Sequence, residues 1–232
     1  MIPPLNRVRW KHATRIQSSR YPPIDIFEDL LEPGEWAAAI RLESLTNSRI
    51  AESIGNLDLV PEHRRVSGPG ASLLMAPFTH VSEDQPGRFH DGSFGACYLA
   101  QTFETAMAET AYHYGRFFAA TQQAPGWFSQ YREYRFTIDH VFHDIRNASS
   151  FNNCHQPDDW SASQQLARTL RASASSGIAY HSVRHEGGDC LAVFWPDVMK
   201  VPVPARPLSY HFDGQTVDLV RDDAGRKVYS LD

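Results

Sequence analysis

The stretch from Gly87 to Glu109 constrains this chain more than any other part of it. Gly87-Arg88-Phe89-His90-Asp91-Gly92-Ser93-Phe94-Gly95 is a glycine-rich loop, Ala96-Cys97-Tyr98-Leu99-Ala100 reads as a strand, and Thr105-Ala106-Met107-Ala108-Glu109 belongs to a helix. One short supersecondary unit therefore delivers an arginine, a tyrosine and a glutamate. Arg88 is a permanent cation whose planar fork suits phosphate or pyrophosphate, and its flanking glycines let a ligand approach the backbone. Tyr98 combines a stacking face with a hydroxyl. Glu109 can accept hydrogen bonds from a ribose diol and stabilise positive charge at an anomeric carbon. Together they suit a nucleotide whose N-glycosidic bond is broken. Spacing alone leaves a plainer alternative open: a surface ion-pair arginine, a half-buried strand tyrosine and a solvated helix glutamate.

The second half adds Gly177-Ile178-Ala179-Tyr180-His181-Ser182-Val183-Arg184 and Gly187-Gly188-Asp189-Cys190-Leu191-Ala192-Val193-Phe194, which read as a strand, a tight turn and another strand. With the first segment, this order of motifs resembles the RES-domain family, the toxins of RES/Xre toxin–antitoxin operons, over roughly residues 62 to 200. The matching positions are Arg88, Glu109 and Ser182, with Tyr98 between them. The resemblance implies an α+β fold, a mixed sheet core with flanking helices similar to ADP-ribosyltransferases. It also implies an enzyme that consumes NAD by cleaving the nicotinamide–ribose bond, with a protein side chain, water or phosphate receiving ADP-ribose, and an Xre-type antitoxin as partner. On that reading Glu109, Arg88 and Tyr98 are catalytic, and Arg65, Arg88, Tyr98 and Ser182 bind NAD. Two departures stand out: Cys190 where many members carry asparagine, and a long gap from Glu109 to Ser182 that suggests an insertion. A non-catalytic nucleotide- or partner-binding module using the same cleft is the alternative.

A formal charge of −5 argues against a nonspecific nucleic-acid binder. With 42% hydrophobic and 12% aromatic residues, a chain of 232 can build a sizeable core. It has no apolar run long enough for a bilayer, no signal-peptide core, and three cysteines without framework spacing, so a soluble cytoplasmic protein with reduced thiols is expected.

The expected organisation is an accessory N-terminal segment, residues 1–60, and a catalytic domain, residues 61–232. Arg7 to Arg20 is basic and breaks at Pro22-Pro23, a flexible or partner-bound arm. Glu35 to Ser53 carries helix formers, for one or two helices packed on the main domain or docking an antitoxin. Gly68-Pro69-Gly70 is a turn before Leu73–Phe78, a short strand or edge, and Arg65 just upstream is a second phosphate contact. Thr102 caps a helix to about Phe118, with Phe103, Met107, Thr110 and Tyr114 inward and Glu109 on its shoulder. Tyr134–Ile138 alternates like a strand, residues 144–159 read as a loop, and Asp159 caps a helix from Trp160 to Ala172 stopped by Gly177. Strands at 178–180 and 191–195 complete the core, and the tail after Pro207 is a β-hairpin with turns at Asp213-Gly214 and Asp223-Ala224-Gly225.

Eleven histidines do not make a metal site here. His140-x-x-His143 lacks the glutamate and helical setting of a zincin, so no metal is expected. His90, Tyr112, His113 and His181 lie near the candidate site in sequence, where one could contact nicotinamide or move a proton. Ser182 follows Tyr180-His181 instead of sitting in a G-x-S-x-G elbow, which argues against a serine hydrolase.

Overall fold

Arg7-Val8-Arg9-Trp10 alternates charge with apolar bulk, and a period of two puts Val8 and Trp10 on one face and both arginines on the other. The computed structural model, which describes residues 1–19 and 55–231, builds this segment into strand β1 (Leu5–Ser18). The expected arm is therefore a sheet strand. It runs antiparallel to β3 (Gly126–Asp144), from Leu5 opposite His143 to Ser18 opposite Tyr131. A register shift between Trp10 and Ala13 changes which residues point inward, so that Ala13 joins Val8 and Trp10 in one core while Ile16 enters the other. The Pro22-Pro23 break and the helices expected at 35–53 lie outside the described residues.

The remaining strands are β2 (Cys97–Ala100), β4 (Gly177–His181), β5 (Asp189–Val193), β6 (Val203–Phe212), β7 (Val217–Asp222) and β8 (Lys227–Ser230). Their order is β1-β2-β5-β4-β3-β6-β7-β8, and the β1–β3 pairing closes the first five into a ring. Among the described strands only β3 and β4 pair in parallel, at His143–Ile178 and Asp144–Ala179. The fold is thus α+β with a mixed sheet and flanking helices. In β4 and β5 alternate residues enter opposite cores: Ile178, Tyr180, Cys190 and Ala192 one, Ala179, Leu191 and Val193 the other. Burial on both faces explains why these strands read as near-continuous apolar runs.

The segment Leu73–Phe78, expected as a strand, lies in helix α1 (Ala71–Thr79). Ala71, Leu74, Met75 and Phe78 recur at helical spacing and are all buried, and the ordinary bias of Pro77 against helix interiors yields to that burial. Helix α2 (Phe103–Ala120) starts as expected, with Thr102 Oγ1 accepting the Thr105 N–H at 3.2 Å. Phe103 and Met107 are buried, Thr110 shares a 2.7 Å hydrogen bond with Tyr210, and the Tyr114 ring packs on Tyr131. Helix α3 (Ser161–Ala172) is preceded by Asp159, whose carboxylate accepts the Ser161 N–H. The helix ends at Ala172, before Gly177, which instead opens β4. A short 3-10 segment, Ser149–His155, interrupts the expected loop, and β7–β8 is the expected hairpin, its turn held by Asp222 accepting the Ala224 and Gly225 N–H groups. No described helix is long and apolar enough to cross a membrane.

Candidate functional site

Gly87 and His90 pair across a tight turn, so Arg88 and Phe89 are its two central residues. A side chain at Gly87 would bring its Cβ within 2.8 Å of the Tyr98 hydroxyl, so the turn can lie against β2 only with glycine there. The Tyr98 Oη accepts the Phe89 N–H at 2.8 Å, and burial raises its pKa far above the usual phenol range. Its proton stays on at neutral pH and is available for donation.

From this turn Arg88, only 8% exposed, reaches the 3-10 segment, where Nη1 donates to the Cys154 and Gln156 carbonyls at 3.0 and 2.7 Å. Across from it, α2 presents Glu109. The Ser182 hydroxyl donates to Glu109 Oε1 at 2.6 Å while accepting the N–H groups of Arg184 and His185. One turn earlier on α2, Thr105 and His185 share a 2.9 Å hydrogen bond, so the loop after β4 is fastened to the helix at two points. Beneath that loop, Asp189 bridges His181 at 2.9 Å and Arg146 at 2.5 Å, and Arg146 also pairs with Asp144.

These groups enclose a cavity of about 320 Å³ whose wall includes Arg15, Arg88, Tyr98, Glu109, His113 and Arg184. The volume falls in the range of small-ligand sites. Arg15 comes from β1, with Nη1 on the Tyr98 carbonyl at 3.2 Å. The Arg184 guanidinium lies 3.4 Å over the Tyr112 ring and donates to the Pro157 carbonyl at 2.8 Å. Arg88 and Arg184 are oriented chiefly by backbone carbonyls, and Arg15 by the Tyr98 carbonyl and the Gln17 side-chain carbonyl; among the described residues the only carboxylate in their contacts is Asp158, 3.5 Å from Arg184. Carbonyl anchoring fixes a guanidinium without cancelling its charge. Three cations thus face a single carboxylate, an arrangement that attracts an anionic ligand. His113 registers this field: burial, then Arg184, Arg116 and Arg88, hold its pKa down to about 4.

Arg88, Tyr98 and Glu109 therefore line the same cavity. Ser182 is not part of the lining and reaches the cavity through Glu109. Arg65 is elsewhere: its guanidinium donates to the Val60 and Leu57 carbonyls and ties down the turn before α1. Cys190 lines the cavity floor, and burial pushes its thiol well up, keeping it protonated. His140 and His143 hydrogen-bond to Ser176 and Ser175. Sequence reasoning missed Arg15, whose segment looked like a free arm, and gave Arg184 no role although the residue closes the quoted motif; the alternation of β1 was the available signal for the first.

The profile of the RES domain matches residues 62–213, well over half of the chain, and this protein belongs to that family. It is 27% identical over 217 residues to the uncharacterized protein y4oC of Sinorhizobium fredii (strain NBRC 101917 / NGR234), covering 92% of this chain and 89% of that one. A solved structure, the M. tuberculosis MbcT-MbcA toxin-antitoxin complex, aligns with a TM-score of 0.45 and 14% identity over 90% of this chain and 87% of the matched chain.

Proposed function

We propose that this chain is the toxin of a toxin–antitoxin pair, cleaving the nicotinamide–ribose bond of NAD and passing ADP-ribose to a protein side chain, water or phosphate. The observation that carries this reading is Glu109, held by the Ser182 hydroxyl in a cavity rimmed by three arginines. The unused donors of Arg15, Arg88 and Arg184 match the two charges of the diphosphate. Tyr98 offers its ring to nicotinamide. With Oε1 held by Ser182, Glu109 keeps Oε2 for the ribose, where it stabilises the oxocarbenium-like transition state. Nicotinamide is cationic in NAD and leaves neutral, so its departure needs no acid. Family membership supports the toxin role and an Xre-type antitoxin. Incubation with NAD tests the reading: free nicotinamide should accumulate, whereas saturable binding without release would mark a nucleotide-binding module.

A further inference from the structure

Four side chains near the site in sequence could move a proton, and the fold separates them. The His90 ring lies against Tyr98, its centroid 5.9 Å away, and is not in the cavity wall. The Tyr112 ring sits under Arg184 and its hydroxyl donates to Asp158. His181 is engaged by Asp189. His113 alone of the four lines the cavity. It follows Glu109 by four residues on α2, which places both on one face with Cβ atoms about 5–6 Å apart. Its ring is flanked by those of Tyr112 at 5.3 Å and Trp160 at 6.3 Å. Neither ring nitrogen has a hydrogen-bond partner among the described residues, and neither is a sealed, unpaired atom.

We propose that His113 is the base that accepts the proton of a neutral hydroxyl acceptor, water being the simplest, as that acceptor bonds to the ribose carbon. The step rests on the NAD-cleaving reading. The C–N bond breaks with its electron pair going to the nicotinamide ring nitrogen, a lone pair of the acceptor oxygen forms the new C–O bond, and the acceptor's proton moves to the imidazole and then to solvent. A neutral nucleophile needs such a base, because its proton must leave as the oxygen bonds to carbon, whereas an anion has none to lose. Burial and the arginines keep His113 unprotonated at neutral pH. Such a weak base suffices, because the acceptor's proton grows strongly acidic as its oxygen bonds to the ribose carbon, and its removal in that transition state draws the addition forward. The imidazolium then formed shares the cavity with the Glu109 carboxylate.

The test is nicotinamide release by purified His113→Ala in phosphate-free buffer, with and without azide, an anionic nucleophile that has no proton to lose. Turnover should fall about 10²-fold or more, the usual worth of a general base, with KM for NAD changed only a few-fold. Azide should restore release and yield ADP-ribosyl azide by mass spectrometry, and should not rescue Glu109→Gln. Full turnover by His113→Ala would overturn the proposal. So would a loss that azide does not answer in a variant with the wild-type melting temperature, or a wild-type enzyme active only with inorganic phosphate. Should His113→Ala not fold, His113→Gln, which keeps bulk and polarity, is read by the same criteria. A wild type that releases no nicotinamide under any condition refutes the NAD-cleaving reading itself; an active wild type with an unaffected His113→Ala refutes this inference alone.

Discussion

A carboxylate surrounded by guanidinium groups ordinarily collapses into an ion pair, and Glu109 does not. The Ser182 hydroxyl takes one of its oxygens, while neutral carbonyl groups, chiefly of the backbone, hold Arg15, Arg88 and Arg184. That division of partners keeps both charges available to a substrate that needs an anion held at one end and a cation stabilised at the other. Arg88 shows the demand most clearly, since one guanidinium must hold two carbonyls and still present donors to a ligand. Arg88→Lys retains the charge but not the fork, so KM for NAD should rise about tenfold or more, a charge-assisted hydrogen bond being worth about 1.5–3 kcal/mol; an unchanged KM would show that the arginine serves the 3-10 segment only. Ser182→Ala should act differently, releasing Glu109 toward the arginines and lowering kcat about tenfold with little change in NAD affinity. A kcat equal to wild type would remove the serine from the orientation of Glu109.

Among the elements, those whose signals are local were legible in the sequence. Thr102 announces α2, the Asp222–Gly225 turn follows from its turn residues, and the apolar runs of β4 and β5 bracket the loop that brings Ser182 to Glu109. Elements governed by tertiary partners were not. β1 looks like a basic arm because its arginines occupy the outer face, and only pairing with β3 gives Val8 and Trp10 a core to enter. α1 hides behind Pro77, and Arg65 looked like a ligand because nothing local foretells its two carbonyl partners. Gly177 has a role that was also misread: with φ at +143°, it lies so close to β5 that a Cβ there would sit 2.1 Å from the Ala192 carbonyl oxygen. Gly177→Ala should therefore destabilise the fold by about 3 kcal/mol through strain and overpacking. Thermal unfolding measures this, and a melting temperature equal to wild type would contradict the close β4–β5 approach.

At the scale of the molecule, a chain with net charge −5 concentrates positive charge in one cavity, so attraction of an anion is a property of the site and not of the surface as a whole. The ring of five strands makes this possible by bringing Arg15, from outside the 62–213 family match, to Arg88 and Glu109 within it. An enzyme with the proposed activity would drain a central cofactor or mark a host protein. Expression of the chain alone should accordingly arrest growth, with Glu109→Ala and a co-expressed cognate antitoxin each relieving the arrest; normal growth with abundant folded wild-type protein would contradict the toxin role. The most direct measurement is nicotinamide release from NAD by purified wild type and Glu109→Gln at matched NAD occupancy. The account predicts steady release by wild type and a decrease of about 10²-fold or more in a variant that still binds NAD. Equal release by a folded Glu109→Gln would contradict it.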